Sequence, residues 1–213
     1  MNLYTLGYSA KYMIGNGDSQ VFCPMAKDEI KSFTNGYPDI KTPLIFELHK
    51  KAKLTNCLSQ GAIASGGLLI DDKTKDLLAD FILIKHKFYP TEIIGKKNEI
   101  IKNYYWLQIE EDLTGEIDYE KSIFYETNGV SNIGEIKIDS YQWYQKQKAE
   151  KGWKFGLNAK LIVLKSDSKL INYDLFRLFP FEYKLIMSER LKSAIVENKL
   201  TGFDTEKYNK VGW

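Results

Sequence analysis

The 213-residue chain is predicted to fold as an α+β protein, with mixed, mostly antiparallel sheets and a few short helices packed on one side. Segments typical of strands outnumber segments typical of helices, and the two kinds do not alternate steadily as they do in βαβ units. Hydrophobic residues make up 44% of the chain and charged residues 27%, an ordinary composition for a globular protein. Because no Pro- or Ser-rich linker interrupts it, we expect one domain over 1–213, in which a β-rich part over 1–60 can pack on a second part over 65–205.

In the first half of the chain, residues 20–58 are irregular apart from one strand, since three prolines interrupt them. A helix is expected at about Lys73–Phe81, where the apolar residues have helical spacing and Asp71 or Asp72 can cap the N-terminus. The extended segment "ILIKHKFYPTEII" follows this helix. The strands predicted in this half are 3–8, Leu44–Leu48, Leu68–Ile70 and 103–109.

In the second half, two helices are expected, a short polar one capped by Ser140 and a second over Ser188–Asn198. Asn198 can end the second helix in the left-handed conformation, with Gly202 opening the next turn. "SDSKLINYDLFRLF" is predicted to be a turn and loop, and "LTGF" a final turn or strand. The strands predicted here are one within "IDYEKSIFYET", Ile136–Ile138, "NAKLIVLK" and "YKLIM".

Two stretches, 69–90 and 186–203, share a strand–helix outline. When the two stretches are aligned with Ser188 over Asp71, both have a capping residue, then an acidic, a basic and several apolar residues at equivalent positions. Only Lys75 and Lys192 are identical. Any capped helix that follows a strand has this pattern, so a local resemblance and a true duplication both stay open.

The charge balance argues against a nucleic-acid partner, because the net charge is only +2 and no basic stripe is visible. No apolar run approaches the roughly 20 residues that a membrane span needs, and the N-terminus does not resemble a signal peptide. Cys23 and Cys57 make neither a disulfide framework nor a zinc pattern. We therefore expect a soluble protein of a reducing cytoplasm, with no membrane partner and with neither a metal nor a cofactor.

Catalytic chemistry has few candidates. His49 and His86 have no second histidine or cysteine at ligand spacing and are expected at the surface or on an edge strand. A nucleophilic pair of Cys57 with His49 is less favoured than a buried cysteine. A cluster of acids could bind a divalent cation or act as an acid/base pair, but it does not follow the calcium-loop pattern and a solvated turn is the favoured explanation. Its members are Glu110, Glu111, Asp112, Glu116, Asp118 and Glu120.

The segment Tyr141–Phe155 mixes aromatic residues with lysines. Such a mixture can stack on single-stranded nucleic acid, anchor a protein interface, or place Tyr141, Tyr144 and Lys148 against the core. If a protein partner docks on this segment, the residues expected to contact it are Tyr141, Trp143, Tyr144 and Trp153.

The C-terminal stretch "LIMSERLKSAIVENKLTGF" resembles the signature of a family of immunity proteins from bacterial polymorphic toxin systems. That signature has S-E-R-[LF]-K after two apolar residues, then a helix, then G-[LI]-T-G-[FV]. Ser188 to Lys192 and Leu200 to Phe203 match it, whereas Asn198-Lys199 stands where a glycine is expected before Leu200. Three further segments are similar to the family, so that the resemblance covers roughly 65–205: "DLFRL", "IDYEKSIF" and "LLADFILIKHKFYPTEI".

The resemblance implies a protein that binds a cognate toxin made by the same cell and blocks it stoichiometrically, without being an enzyme. Ser188, Glu189 and Gly202 are expected to define the fold rather than contact the toxin. Ser188 can cap the helix, Glu189 suits the helix dipole in the first turn, and Gly202 opens the next turn. The net charge of +2 makes a strongly basic toxin less expected. The alternatives are a hydrolase or a small-ligand- or metal-binding protein that uses the acids at 110–120, and a structural or phage-associated protein. The oligomeric state is left open.

Overall fold

The computed structural model describes residues 2–15, 17–24, 37–40, 43–61, 63, 67–109, 113–128 and 130–212, apart from the side chain of Trp153. Over these residues the chain forms fourteen strands and three α-helices, which confirms the predicted α+β class. The helices are α1 (Asp72–Leu78), α2 (Tyr141–Lys151) and α3 (Glu189–Glu197). The strands are β1 (Leu3–Tyr8), β2 (Val21–Phe22), β3 (Leu44–Leu48), β4 (Cys57–Leu58), β5 (Gly67–Asp71), β6 (His86–Ile94), β7 (Ile100–Ile109), β8 (Ile123–Thr127), β9 (Asn132–Ile136), β10 (Gly156–Val163), β11 (Leu175–Phe176), β12 (Leu185–Ser188), β13 (Phe203–Tyr208) and β14 (Val211–Gly212).

The strands form three sheets, in which antiparallel pairs predominate as predicted. The six-stranded sheet has the order β2-β3-β6-β7-β5-β4, and only its β3–β6 pair is parallel. A four-stranded antiparallel sheet has the order β11-β12-β1-β13. The third sheet has the order β14-β10-β8-β9, with β14 parallel to β10. The first and last thirds of the chain therefore meet in the second sheet, where β1 lies between β12 and β13.

The six-stranded sheet separates two hydrophobic cores. Because side chains alternate along a strand, Leu69 and Trp106 belong to the smaller core, while Ile70 and Leu107 belong to the larger one. The larger core also contains residues of both four-stranded sheets and of α1 and α3, such as Leu191, and the aromatic residues of α2 pack against it. The helices thus pack on one side of the six-stranded sheet, as predicted. None of the described helices is long and apolar enough to cross a membrane.

Local capping places the N-terminus of each helix. Asp71, Ser140 and Ser188 each accept a hydrogen bond from the amide three residues further on, at 3.0, 3.1 and 3.2 Å respectively. The predicted caps are confirmed, and Asp71 rather than Asp72 caps α1. The sequence pattern is sufficient here because the capping side chain and the amide that it accepts from are three residues apart.

Several element boundaries differ from the prediction. Helix α1 ends at Leu78 rather than at Phe81, because Ala79 to Phe81 turn with i→i+3 backbone bonds. The strand expected at Ile136–Ile138 is instead β9, whose pairing with β8 ends at Ile136. The predicted turn and loop at 166–179 contains β11, which adds to the edge of β12. The irregular region 20–58 also contains β2 and β4, each only two residues long.

The end of helix α3 also differs from the prediction. Asn198 has an ordinary φ of −79°, and Lys199 is the left-handed residue, with φ of +53°. Gly202 has φ of +87° and opens the next turn as expected. The left-handed position therefore falls on Lys199, directly before Leu200, where the signature described above has its glycine.

Candidate functional site

Three of the segments that carry the resemblance meet at the buried side chain of Asp174. Its carboxylate accepts hydrogen bonds from the Ser188 hydroxyl at 2.6 Å, from the Ile82 amide at 3.0 Å, and from two nitrogens of the Arg190 guanidinium. Ser188 and Arg190 belong to "SERLK", Asp174 to "DLFRL" and Ile82 to "LLADFILIKHKFYP". Bonds between their backbones add to this, from the Asp174 amide to the Ile82 carbonyl and from the Ser188 amide to the Asp174 carbonyl.

The charge of Asp174 is stabilised by these donors. Burial by itself raises the pKa of the carboxyl group, but the hydrogen bonds from Arg190, Ser188 and the Ile82 amide outweigh it, so that the pKa lies below its usual range. The Arg190 guanidinium also lies 4.5 Å from the ring centre of Phe81. The arrangement ties α3 to the segment after α1 and to β11, and the Asp174 side chain at its centre is buried.

The remaining signature residues also make contacts within the fold. The Glu189 carboxylate accepts hydrogen bonds from the Asn2 side chain and from the Tyr4 hydroxyl of β1, at 3.2 and 3.3 Å. The Thr201 amide and hydroxyl both donate to the Asn56 side chain. At Gly202 a Cβ would overlap the Cys57 carbonyl oxygen. These contacts support the expectation that Ser188, Glu189 and Gly202 define the fold.

The aromatic residues of α2 lie half-buried on the larger core. The Tyr141 and Tyr144 rings stack at 5.9 Å, Tyr144 lies 5.5 Å from Phe181, and Trp143 lies 6.3 Å from Phe155. The Lys148 ammonium donates to the Phe155 carbonyl. One face of α2 therefore packs on the core, as one of the alternatives for this segment predicted. Tyr141, Trp143 and Tyr144 are only partly covered by this packing.

Trp153 belongs to the short 3-10 turn Gly152–Lys154, and its side chain lies outside the described part of the structure. The contact of Tyr141, Trp143, Tyr144 and Trp153 with a partner stays a prediction. For the first three, any contact would involve only the edges that the core leaves exposed.

Sequence reasoning missed two exposed aromatic residues next to α2. Tyr183 is 67% exposed and Phe179 is 39% exposed, and their rings meet edge to face at 5.3 Å. Burial raises the pKa of the Tyr144 hydroxyl, and the nearby Tyr183 and Tyr141 hydroxyls raise it further. The Arg177 guanidinium lies 4.8 Å from the Phe179 ring centre. The signal in the sequence was the aromatic cluster in "RLFPFEY", which the prediction treated as the end of a loop and the start of a strand.

The acidic cluster is only partly described, because Glu110, Glu111 and Asp112 lie outside the described residues. Asp118 forms an ion pair with Lys121 at 2.8 Å, and the Glu116 carboxylate accepts from the Lys169 amide. Asp118 and Glu120 line a cleft of about 460 Å³ that reaches Tyr141 at the start of α2. Within the described ranges, no three His, Cys, Asp or Glu residues are grouped closely enough to hold a metal ion.

The pairing of Cys57 with His49 is not formed. Cys57 is fully buried, and burial raises the pKa of its thiol far above the usual value, so it stays protonated. His49 instead lines a surface cleft with Cys23, and its Nδ1 accepts from the Lys51 amide. His86 is exposed, as expected, although β6 is an inner strand rather than an edge strand.

Comparison with protein families supports the resemblance that these segments suggested. Residues 23–210 match the immunity protein family Imm11. The match begins well before residue 65 and so takes in most of the N-terminal part that had contributed nothing to the resemblance. A search of curated proteins found no match to the chain. Because the family match covers most of its length, the chain belongs to the Imm11 family of immunity proteins.

Proposed function

We propose that this protein protects the cell that makes it by binding a cognate toxin of a polymorphic toxin system, one-to-one, in the cytoplasm. The observation that carries the proposal is its membership of an immunity protein family over residues 23–210. Protection by binding needs a stable surface with a few anchoring side chains and no catalytic group. The protein would thus act as an inhibitor and not as an enzyme.

The toxin-binding face that we propose is formed by the exposed edges of Tyr141, Trp143 and Tyr144 together with Tyr183 and Phe179. Tyrosine, tryptophan and arginine are the residue types most enriched among the side chains that dominate binding energies. Packing on Phe181 and Phe155 holds the α2 rings in place. Rings that are already ordered lose little conformational freedom when a partner covers them, which favours binding.

Tyr183 is the best single test of this face. It is the most exposed aromatic side chain among those described, and it lies beside Tyr144 and Phe179 without filling the core. Replacing it should therefore change binding without changing stability. Trp143 packs against Phe155, so Trp143→Ala would combine a loss of stability with any loss of binding.

The first experiment is co-expression of this chain with the C-terminal toxin domain encoded beside its gene, in cells that the domain alone kills. We expect survival and a one-to-one complex in size-exclusion chromatography. Death of the cells, or survival without a complex, would show that binding-based immunity is wrong for this pair.

The second experiment measures the Kd of Tyr183→Ala for the same toxin domain. We expect binding at least about tenfold weaker than that of the unchanged protein. The matched control is Phe22→Ala, because Phe22 is an exposed aromatic residue on an edge strand of the six-stranded sheet. If both variants bind equally well, the proposed face is wrong even though the function stands.

A further inference from the structure

We infer that a cleft beside Tyr183 binds one arginine side chain of the toxin, next to the proposed aromatic face. The inference rests on the proposed function and adds to it the chemistry of one contact. The cleft has a volume of about 390 Å³, and its walls come from β1, β13, the start of β12 and the start of β5. Two observations carry the inference: a glycine that the strand itself does not need, and a carboxylate that has no cationic partner in the described part of the chain.

Gly7 forms part of the floor of the cleft. It lies in β1, an inner strand, directly opposite Asp204 of β13. Its φ is outside the left-handed region, and a Cβ added to it would meet no atom within 4 Å. Neither the backbone conformation nor the packing therefore requires a glycine here. Because glycine weakens the interior of a strand, it often marks a place that a ligand approaches closely.

The end of strand β12 opens one side of the cleft. β12 pairs with β1 as far as Leu185 opposite Leu6, whereas β13 pairs with β1 as far as Tyr8. The Ser9 amide donates to the Gly202 carbonyl on the β13 side. Since backbone groups alternate in direction along an antiparallel strand, those of Tyr8 face the side where β12 has ended. The Tyr8 carbonyl oxygen on that side can accept a hydrogen bond from a partner.

The charges at the cleft favour a cationic partner. Asp204 and Glu206 lie on the same face of β13, because they are two residues apart in one strand. The Lys184 ammonium pairs with the Glu206 carboxylate at 3.2 Å. Asp204 accepts a hydrogen bond from the Thr205 amide, but over the residues that the structure describes no lysine or arginine pairs with it. One negative charge at the cleft therefore lacks a counter-ion.

The aromatic residues at the cleft favour arginine over lysine. Tyr8 and Tyr183 both line the cleft, and both rings are exposed. A guanidinium group can donate two parallel hydrogen bonds to a carboxylate and can stack on an aromatic ring, whereas an ammonium group is more strongly hydrated. An arginine in the cleft has both kinds of partner. One such contact does not need a strongly basic toxin, so it agrees with the net charge of +2.

A metal ion fits the cleft less well than a guanidinium group. The Glu206 carboxylate is already paired with Lys184, which leaves the Asp204 carboxylate as the one charged ligand at the cleft. Divalent cations such as Ca²⁺ take six to eight oxygen ligands, and Mg²⁺ keeps several waters around one or two carboxylates. Arginine and tyrosine are also residue types that are enriched among the side chains that dominate binding energies, and Tyr183 belongs to the proposed face.

The test is the Kd of two variants for the toxin domain encoded beside the gene. Gly7→Val fills the floor of the cleft, and Asp204→Asn removes the charge with little change of shape. We expect each variant to bind at least about tenfold more weakly, with a Tm no lower than that of the unchanged protein. The Tm should hold because the Cβ position at Gly7 is open and Asp204 is exposed. The matched control is Gly134→Val in β9, where a Cβ also meets no atom within 4 Å and which should bind as the unchanged protein does.

A double-mutant cycle identifies the occupant of the cleft. Each arginine of the toxin domain is replaced singly by glutamine, and its Kd is measured with the unchanged protein and with Asp204→Asn. We expect one arginine whose replacement weakens binding to the unchanged protein but has little further effect on binding to Asp204→Asn. If no arginine of the toxin is coupled to Asp204 in this way, the inference is overturned.

The outcomes separate this inference from the proposed function. If the unchanged protein does not bind the toxin, the proposed function fails. If it binds, and Gly7→Val and Asp204→Asn bind equally well, the cleft is not a contact and the function stands. If the two variants instead lose self-association in sedimentation while toxin binding is unchanged, the cleft serves a second copy of this chain, and the inference is overturned.

Discussion

At the scale of single residues, Lys199 has a strained backbone conformation. Its φ of +53° is a backbone conformation that costs a residue with a Cβ roughly 1 kcal/mol. We expect Lys199→Gly to raise the free energy of unfolding by about 0.5–1 kcal/mol in denaturant titrations. Asn198→Gly is the control and should destabilise, since Asn198 has an ordinary φ and its side chain donates to the Ala194 carbonyl. Equal effects of the two variants would contradict the assignment of the left-handed residue.

Thr91 offers a second test at this scale, because its hydroxyl is buried without a hydrogen-bond partner among the described residues. Removing an unsatisfied polar group and keeping the shape should stabilise the protein. We expect Thr91→Val to raise the free energy of unfolding by about 1 kcal/mol. In the matched variant Thr55→Val, a hydroxyl that donates to the Cys57 carbonyl and accepts from Gln20 is lost, and the protein should be destabilised by a similar amount or more. Destabilisation by Thr91→Val would indicate a partner for that hydroxyl.

At the scale of elements, Asp174 joins three segments of the chain and makes their association pH-dependent. The folded-state pKa of Asp174 lies below its unfolded value, so its stabilising contribution is complete above a pH of about 4 and is lost as the pH falls through the folded value. We expect Asp174→Asn to lower the free energy of unfolding by about 1–3 kcal/mol at neutral pH, a moderate value because the Arg190 side chain is 60% exposed. The difference from the unchanged protein should shrink below pH 4 in urea titrations. The control is Asp139→Asn, at an exposed position, which should change the free energy of unfolding little at any pH. If Asp174→Asn lowers the free energy of unfolding by the same amount at every pH, the charge of Asp174 is not the cause.

The two strand–helix units at 69–90 and 186–203 are similar at this scale for local reasons. In both, the last residue of a strand, Asp71 or Ser188, caps the helix that follows. The units also contact each other, because the Lys73 ammonium donates to the Asn198 carbonyl at 2.9 Å. Capping of a helix after a strand is one explanation of the shared outline, and a duplication stays the other.

At the scale of the whole molecule, the six-stranded sheet is shared by both cores. On β5 and β7 alternate residues face opposite cores, so loss of either core exposes the sheet that supports the other. We therefore expect a single cooperative unfolding transition, as a one-domain chain predicts. Far-UV circular dichroism and hydrogen exchange of the amides of β7 and β10 should report the same midpoint in denaturant. Earlier exchange of β10 would show that the part built on the β14-β10-β8-β9 sheet unfolds separately.

The aromatic residues of the candidate site could be predicted from the sequence only in part. The aromatic residues of α2 were found because they lie within four positions of one another, but their burial against Phe155 and Phe181 depends on contacts across the fold. Tyr183 was missed because its neighbour Tyr144 lies 39 positions earlier in the chain.

Local patterns in the sequence determined the fold class, the three helix caps, the turn at Gly202 and the family resemblance, since each depends on residues a few positions apart. Only the tertiary structure decided which strands pair, that Asp174 meets Arg190, and that Thr201 meets Asn56 across 145 positions. It also decided that the signature residues make contacts within the fold, while Tyr183 stays exposed and the aromatic residues of α2 are half-buried. The physical reason is that caps and turns are satisfied by neighbouring backbone groups. Burial and exposure depend on which distant segments share the core.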